Sequence, residues 1–179
     1  MNKGYKISEI REGNQSEFRK LMDDNMDNLY TIVLRITASK EDARDIVQDT
    51  FIRLWEKRKT LKESGRVKFL LRKIAVNKSY DYLRKKKRNN TDSMDMSVFK
   101  ILADGEKADH KLNEKESLTV LRSLVSVLSP KQRIVFTMVE LQEMSHDEVA
   151  GITGMTKSSI KSNLNHAKKR MKKLVSYYF

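Results

Sequence analysis

The sequence predicts an all-α protein, two small helical domains joined by a flexible linker. Three observations carry this. Apolar residues recur at steps of three and four over long stretches, the spacing of one buried helix face. One Pro and six Gly among 179 residues are too few for turn-rich sandwiches, barrels or propellers. With 39% hydrophobic and 34% charged residues, the chain suits small helical units better than one thick core.

The first predicted helix covers Ser16 to Thr37, with Phe18, Leu21, Met22, Met26, Leu29, Tyr30, Val33 and Leu34 on one stripe. Ser39 is placed to cap the next, with Glu41 and Asp42 in its first turn. That helix, Lys40 to Arg58, gathers Ala43, Ile46, Val47, Thr50, Phe51, Leu54 and Trp55 on one face. A loop at 62–65 leads to a third helix, Arg66 to Arg88, whose core face is Val67, Leu70, Leu71, Ile74, Ala75 and Tyr82. These elements make a first domain over 1–90. A polar linker follows over 91–111, with Asp-Gly punctuation and weak periodicity. The second domain, 112–179, resumes helical periodicity at Leu112. Ser129-Pro130-Lys131-Gln132 and Ser145-His146-Asp147-Glu148 each read as a capping box opening a helix. Thr153-Gly154-Met155-Thr156 is a turn, and a last helix runs from Lys157 to Val175.

Composition excludes several chemistries. Without cysteine there is no disulfide framework, thiolate zinc site or thiol nucleophile. His110, His146 and His166 have no metal-ligand partner four residues on, and there is no Gly-rich phosphate loop or nucleophile pattern. No catalytic residue, metal or cofactor is expected. The N-terminus lacks a secretory apolar core, and no apolar run approaches the roughly 18–20 residues that span a bilayer. The expectation is a cytoplasmic protein with no direct membrane insertion.

Net charge is +13, which points to a polyanion, nucleic acid before membrane. Its distribution says more. Residues 1–60 carry 12 basic and 11 acidic groups, 61–90 carry 11 and 2, 91–130 carry 5 and 7, and 131–179 carry 9 and 4. Two basic blocks separated by a weakly acidic stretch fit two DNA-contacting modules and a linker.

Three surfaces stand out. The pair of helices from Ser145 has the spacing of a helix-turn-helix. On its second helix Ile160, Leu164, Ala167, Met171 and Leu174 face inward. Ser158, Lys161, Ser162, Asn165, His166 and Lys169 fall opposite, where they can reach base edges or phosphates in a major groove. The same pattern fits the solvated face of an ordinary helical hairpin. On the third helix Lys73, Asn77, Tyr80 and Arg84 form a second stripe, flanked by Phe69, Val76 and Leu83. Cations, an amide and a ring in one row suit single-stranded nucleic acid, and equally a helix packed on two sides. On the second helix Asp45, Gln48, Asp49 and Ile52 align opposite Phe51 and Trp55, a docking surface for a basic partner or a solvated acidic face.

Three segments carry a resemblance: EDARDIVQDTFIRLW at 41–55, FLLRKIAVNKSYDYLRKKKR at 69–88, and LSPKQRIVFTMVELQEMSHDEVAGITGMTKSSIKSNLNHAKKRMKK at 128–173. In this order, across about 20–175, the chain resembles the extracytoplasmic-function class of bacterial RNA polymerase sigma factors. The resemblance implies a region 2-like first domain and a region 4-like second one. It implies binding to RNA polymerase core enzyme and promoter DNA, with recognition of −10 and −35 elements and strand opening. It places Asp45, Gln48, Asp49 and Ile52 against the polymerase clamp, Lys59–Val67 at a flipped −10 base, and Asn77 beside that base. Lys161, Ser162, Asn165 and His166 fall where the family reads the −35 element. This chain departs from common members at Asn165 and His166, where larger or arginine side chains are frequent. An anti-sigma factor, often membrane-tethered, is a further implied partner. The rival readings are a helix-turn-helix regulator working without polymerase, a helical protein-binding adaptor and a single-strand RNA binder.

Overall fold

The computed structural model describes residues 5–62, 66–89, 124–125 and 127–178. The expected linker over 91–111 and the helix resuming at Leu112 lie outside the described residues. Those described form α1 (Ile7–Glu12), α2 (Gln15–Thr37), α3 (Lys40–Glu56), a 3₁₀ turn (Arg58–Thr60), α4 (Val67–Asn89), α5 (Pro130–Phe136), a π-helical turn (Thr137–Leu141), α6 (His146–Thr153) and α7 (Lys157–Tyr178). Among them there is no strand, and the all-α expectation holds.

Local chemistry sets the helix starts. Asn14 accepts hydrogen bonds from the backbone N–H of Ser16 and Glu17, opening α2 one residue earlier than expected. Ser39 accepts from the Asp42 N–H. The two capping boxes form as predicted, Ser129 with Gln132 on α5 and Ser145 with Glu148 on α6. Gly154 ends α6 at φ 74°, where glycine avoids a Cβ clash.

The first core lies among α2, α3 and α4. Leu21, Val33, Ala43, Leu54, Leu71 and Ala75 are fully enclosed, and Phe18 meets Phe51 edge-on at 6.5 Å between ring centroids. Helix α1 was not anticipated. Ile7 and Ile10 sink into this core beside Leu61, so α1 braces the 3₁₀ turn. A six-residue helix is unstable alone, and tertiary burial holds it.

The second core joins the two halves of the chain. Ile134, Val135, Met138, Val149, Ile152 and Ile160 of the C-terminal half pack with Ile32 and Ile36 of α2 and with Val76 and Leu83 of α4. Helix α4 lies against α5 and α6, and α2 against the π-helical turn. Two arginines tie the halves together through carbonyls. Arg35 donates to Leu141 O, and Arg133 donates to Ile36 O at 3.3 Å while also holding Val125 O at 2.9 and 2.6 Å.

Candidate nucleic-acid interface

Helix α7 sorts its residues as its periodicity requires. Ile160, Leu164 and Ala167 are buried against α5 and α6, and Ser158, Lys161, Ser162, Asn165, His166 and Lys169 are all exposed. A helix ten or more residues long with one polar, cationic face free of the body has the shape that enters a major groove. Two flanking lysines are held by the body instead. Lys168 pairs with Glu140 at 2.9 Å, and Lys157 pairs with Asp147 at 2.6 Å. Both are surface pairs between α7 and the elements before it, while the apolar contacts with α5 and α6 position the helix.

Beneath α7, the Glu148 carboxylate accepts the Ser145 N–H and hydroxyl, each at 2.9 Å. These bonds hold its pKa below the usual carboxylate range, led by the backbone bond and aided by the nearby Arg72 cation of α4. The α6 start is therefore fixed by its own carboxylate.

Helix α4 divides the second stripe. Lys73, Asn77 and Arg84 are exposed, and Tyr80 is half-buried against the second core. The Arg84 guanidinium stands 5.7 Å from the Tyr80 ring centroid, within cation–π range. Val76 and Leu83, which the periodicity placed beside the stripe and off the first core, are buried under the C-terminal half. Phe69 remains 39% exposed.

On α3, Asp45, Gln48, Asp49 and Ile52 are all exposed, and the structure splits them by direction. Gln48 and Ile52 border an open groove of about 1360 Å³ between α2 and α3. Its floor is Phe18, Met22, Met26, Val47 and Phe51, and cationic Arg19 and Arg44 stand at its rim. Asp49 turns the other way, to Lys78 of α4 at 3.0 Å. The groove was missed at the sequence level. Its signal was present in Phe18, Met22 and Met26, which lie toward one side of the α2 stripe and stay partly buried.

No group of His, Asp and Glu able to hold a metal occurs among the described residues. No described helix is long and apolar enough to cross a membrane.

Residues 21–89 match the sigma-70 region 2 family and residues 118–171 match sigma-70 region 4. The ECF RNA polymerase sigma factor SigM of Bacillus subtilis is 31% identical over 151 residues, covering 83% of this chain and 89% of the relative. SigW of the same organism is 23% identical over 176 residues, 94% of each chain. In fold, the chain is similar to CnrH in its complex with the cytosolic domain of CnrY, at a TM-score of 0.69 and 19% identity over 96% of this chain and 95% of that one. It is also similar to the sigma factor RpoE of Bartonella quintana, solved with the anti-sigma factor NepR, at a TM-score of 0.65 and 22% identity over 89% and 97%. With the helix-turn-helix and the basic α4 in family order, the chain belongs to the extracytoplasmic-function class of RNA polymerase sigma factors, initiation factors that bind core polymerase and recognise promoter DNA.

Proposed function

We propose that this sigma factor divides its work among three faces. Ser158, Lys161, Ser162, Asn165, His166 and Lys169 of α7 read the −35 element. Lys73, Asn77, Tyr80 and Arg84 of α4 hold the opened −10 strand. Asp45, Gln48, Asp49 and Ile52 of α3 meet the polymerase, and the groove bordered by Gln48 and Ile52 seats an apolar ridge of the same partner. Residues 1–90 and 112–179 act as the two functional domains, with 91–111 as their connection. The chain contributes no catalysis of its own. Unstacking a base costs a few kcal/mol, which Tyr80 offsets by stacking and Asn77 by pairing with a base edge.

The observation that supports this most directly is α7. Its six polar side chains are exposed together while its apolar face is closed off by α5 and α6. CnrH and the Bartonella RpoE were each solved with a protein partner, an anti-sigma factor in the second case, and we extend a partner of that kind to this chain.

The experiment is Asp45→Arg with Asp49→Arg, assayed by core-polymerase pull-down, run-off transcription and circular dichroism. We expect loss of binding and transcript with helicity unchanged, because both residues are exposed and the Asp49–Lys78 surface pair is worth less than about 1 kcal/mol. Wild-type binding by the double variant would overturn the α3 assignment.

A further inference from the structure

Among the described residues the large apolar side chains left exposed are Ile52, Phe69 and Leu141, and Phe69 is the one aromatic. A single exposed apolar side chain is ordinary on a protein surface. The register of Phe69 is what distinguishes it. At about 3.6 residues per turn, Phe69, Lys73, Asn77, Tyr80 and Arg84 of α4 fall within an arc of roughly 80°. The strand-binding stripe therefore begins one turn before Lys73, with a ring at its head.

The surroundings suit a polyanionic strand. Arg66, Lys68 and Lys73 are exposed in the turns on either side of the ring, and from Arg66 to Tyr80 the chain has no acidic residue. The packing of this part of α4 is carried by other side chains. Val67 and Leu71 are buried in the first core, and Phe69 belongs to neither core. Where the tip of its ring approaches α6, the neighbour is Gly151, which lays no side chain over it; a Cβ there would stand 3.0 Å from Phe69 Cζ.

We propose that Phe69 is a second stacking platform for the −10 strand, holding a base other than the one on Tyr80. The proposal rests on the −10 reading of α4. The two rings lie eleven residues apart, roughly 16 Å along the helix at about 1.5 Å per residue. Stacked nucleotides of one strand are only about 3.4 Å apart, so the rings serve different nucleotides. Lys73 and Asn77 lie between them in register to meet phosphate and base edge. Every base offers a face to stack, so Phe69 adds affinity for the opened strand more than sequence preference.

The test uses holoenzyme reconstituted from the full-length protein and core polymerase, with a fluorescent −10 single strand as probe and helicity matched by circular dichroism. Phe69→Ala should weaken binding by about fivefold or more. It should leave the log–log salt slope unchanged, because no cation is lost. Phe69→Trp should bind as the wild type does. Phe69→Leu keeps an apolar contact beside Gly151 without a ring face, and should bind as weakly as Phe69→Ala. With 2-aminopurine placed at one −10 position at a time, stacking quenches its fluorescence. That quenching should be lost at one nucleotide in Phe69→Leu and at a different one in Tyr80→Leu.

Wild-type binding by Phe69→Leu would make the residue a packing contact and overturn the platform. Loss of quenching at the same nucleotide in both leucine variants would overturn it too. Lys73→Ala with Arg84→Ala separates the platform from the reading beneath it. If that variant binds weakly while Phe69→Ala binds normally, the platform fails and the stripe stands. If both bind normally, the −10 reading of α4 fails and takes the platform with it.

Discussion

Helices α4 and α7 are near twins in length, 23 and 22 residues, and each carries a row of basic and amide side chains. They differ in their other faces. Helix α7 buries one stripe and leaves the opposite face wholly exposed. Helix α4 buries two, Val67, Leu71 and Ala75 in the first core and Val76 and Leu83 in the second, so its polar row is a narrow strip between packed surfaces. A helix with one buried face can be a permanent reader. A helix with two must give one up before a strand can lie along it, so its availability is conformational and not only electrostatic.

The largest expected effect comes from charging the second buried face. Val76→Asp places a carboxylate at a site 1% exposed and apolar, at a cost of roughly 3 kcal/mol or more if the seam stays shut. We expect the halves to part, with a larger hydrodynamic radius and preserved helicity. His166→Asp on exposed α7 should leave compactness unchanged, within about 0.5 kcal/mol of stability. If both variants stay equally compact, the contrast between the helices fails.

The next test compares their amides. Asn77→Ala should reduce permanganate reactivity of −10 thymines while promoter occupancy persists. Asn165→Ala should relax preference at one −35 base pair by about 1–3 kcal/mol, read from a substitution panel with reconstituted holoenzyme. Uniform loss across the panel would make α7 a general phosphate binder.

Salt dependence sharpens the same contrast. Removing one cation that neutralises a phosphate should lower the log–log salt slope by about 0.7 on single-stranded DNA and about 0.9 on duplex. Lys73→Ala with Arg84→Ala should change the first slope and Lys161→Ala the second. A Lys161→Ala effect confined to one base pair would identify Lys161 as a base reader.

The smallest effects concern the support beneath α7. Ser145→Ala removes the α6 cap and should cost about 1 kcal/mol. The lowered pKa of Glu148 makes its contribution to stability present above the ordinary carboxyl pKa of about 4.3 and lost as pH falls through the folded value. Glu148→Gln should therefore lower stability near neutral pH and leave it little changed in acid, so that the acid limb of the thermal stability profile flattens.

Much of this architecture is legible in the residues because it is local. Helices α2 to α7 follow from apolar steps of three and four and from the caps at Ser39, Ser129 and Ser145, which act within a few residues of chain. The groove-facing row of α7 is legible for the same reason, since opposite faces of a helix are fixed by its pitch. Other features depend on distant partners. Helix α1 exists because Ile7 and Ile10 find the first core. The π-helical turn at Thr137–Leu141 interrupts what periodicity presents as continuous helix, and the Met144 N–H returns to Met138 O at 3.0 Å to close it. The groove over Phe18 and Met22 appears only when α2 and α3 cross.

The seam shows the division most clearly. That Val76 and Leu83 are apolar and lie off the first core face follows from the sequence and the helical repeat. Which surface covers them was decided by tertiary structure, because hydrophobic burial is non-directional and any apolar face of suitable shape would serve. Here the surface is the apolar side of the C-terminal half, with Ile134, Val135, Met138, Val149 and Ile152 in the same cluster.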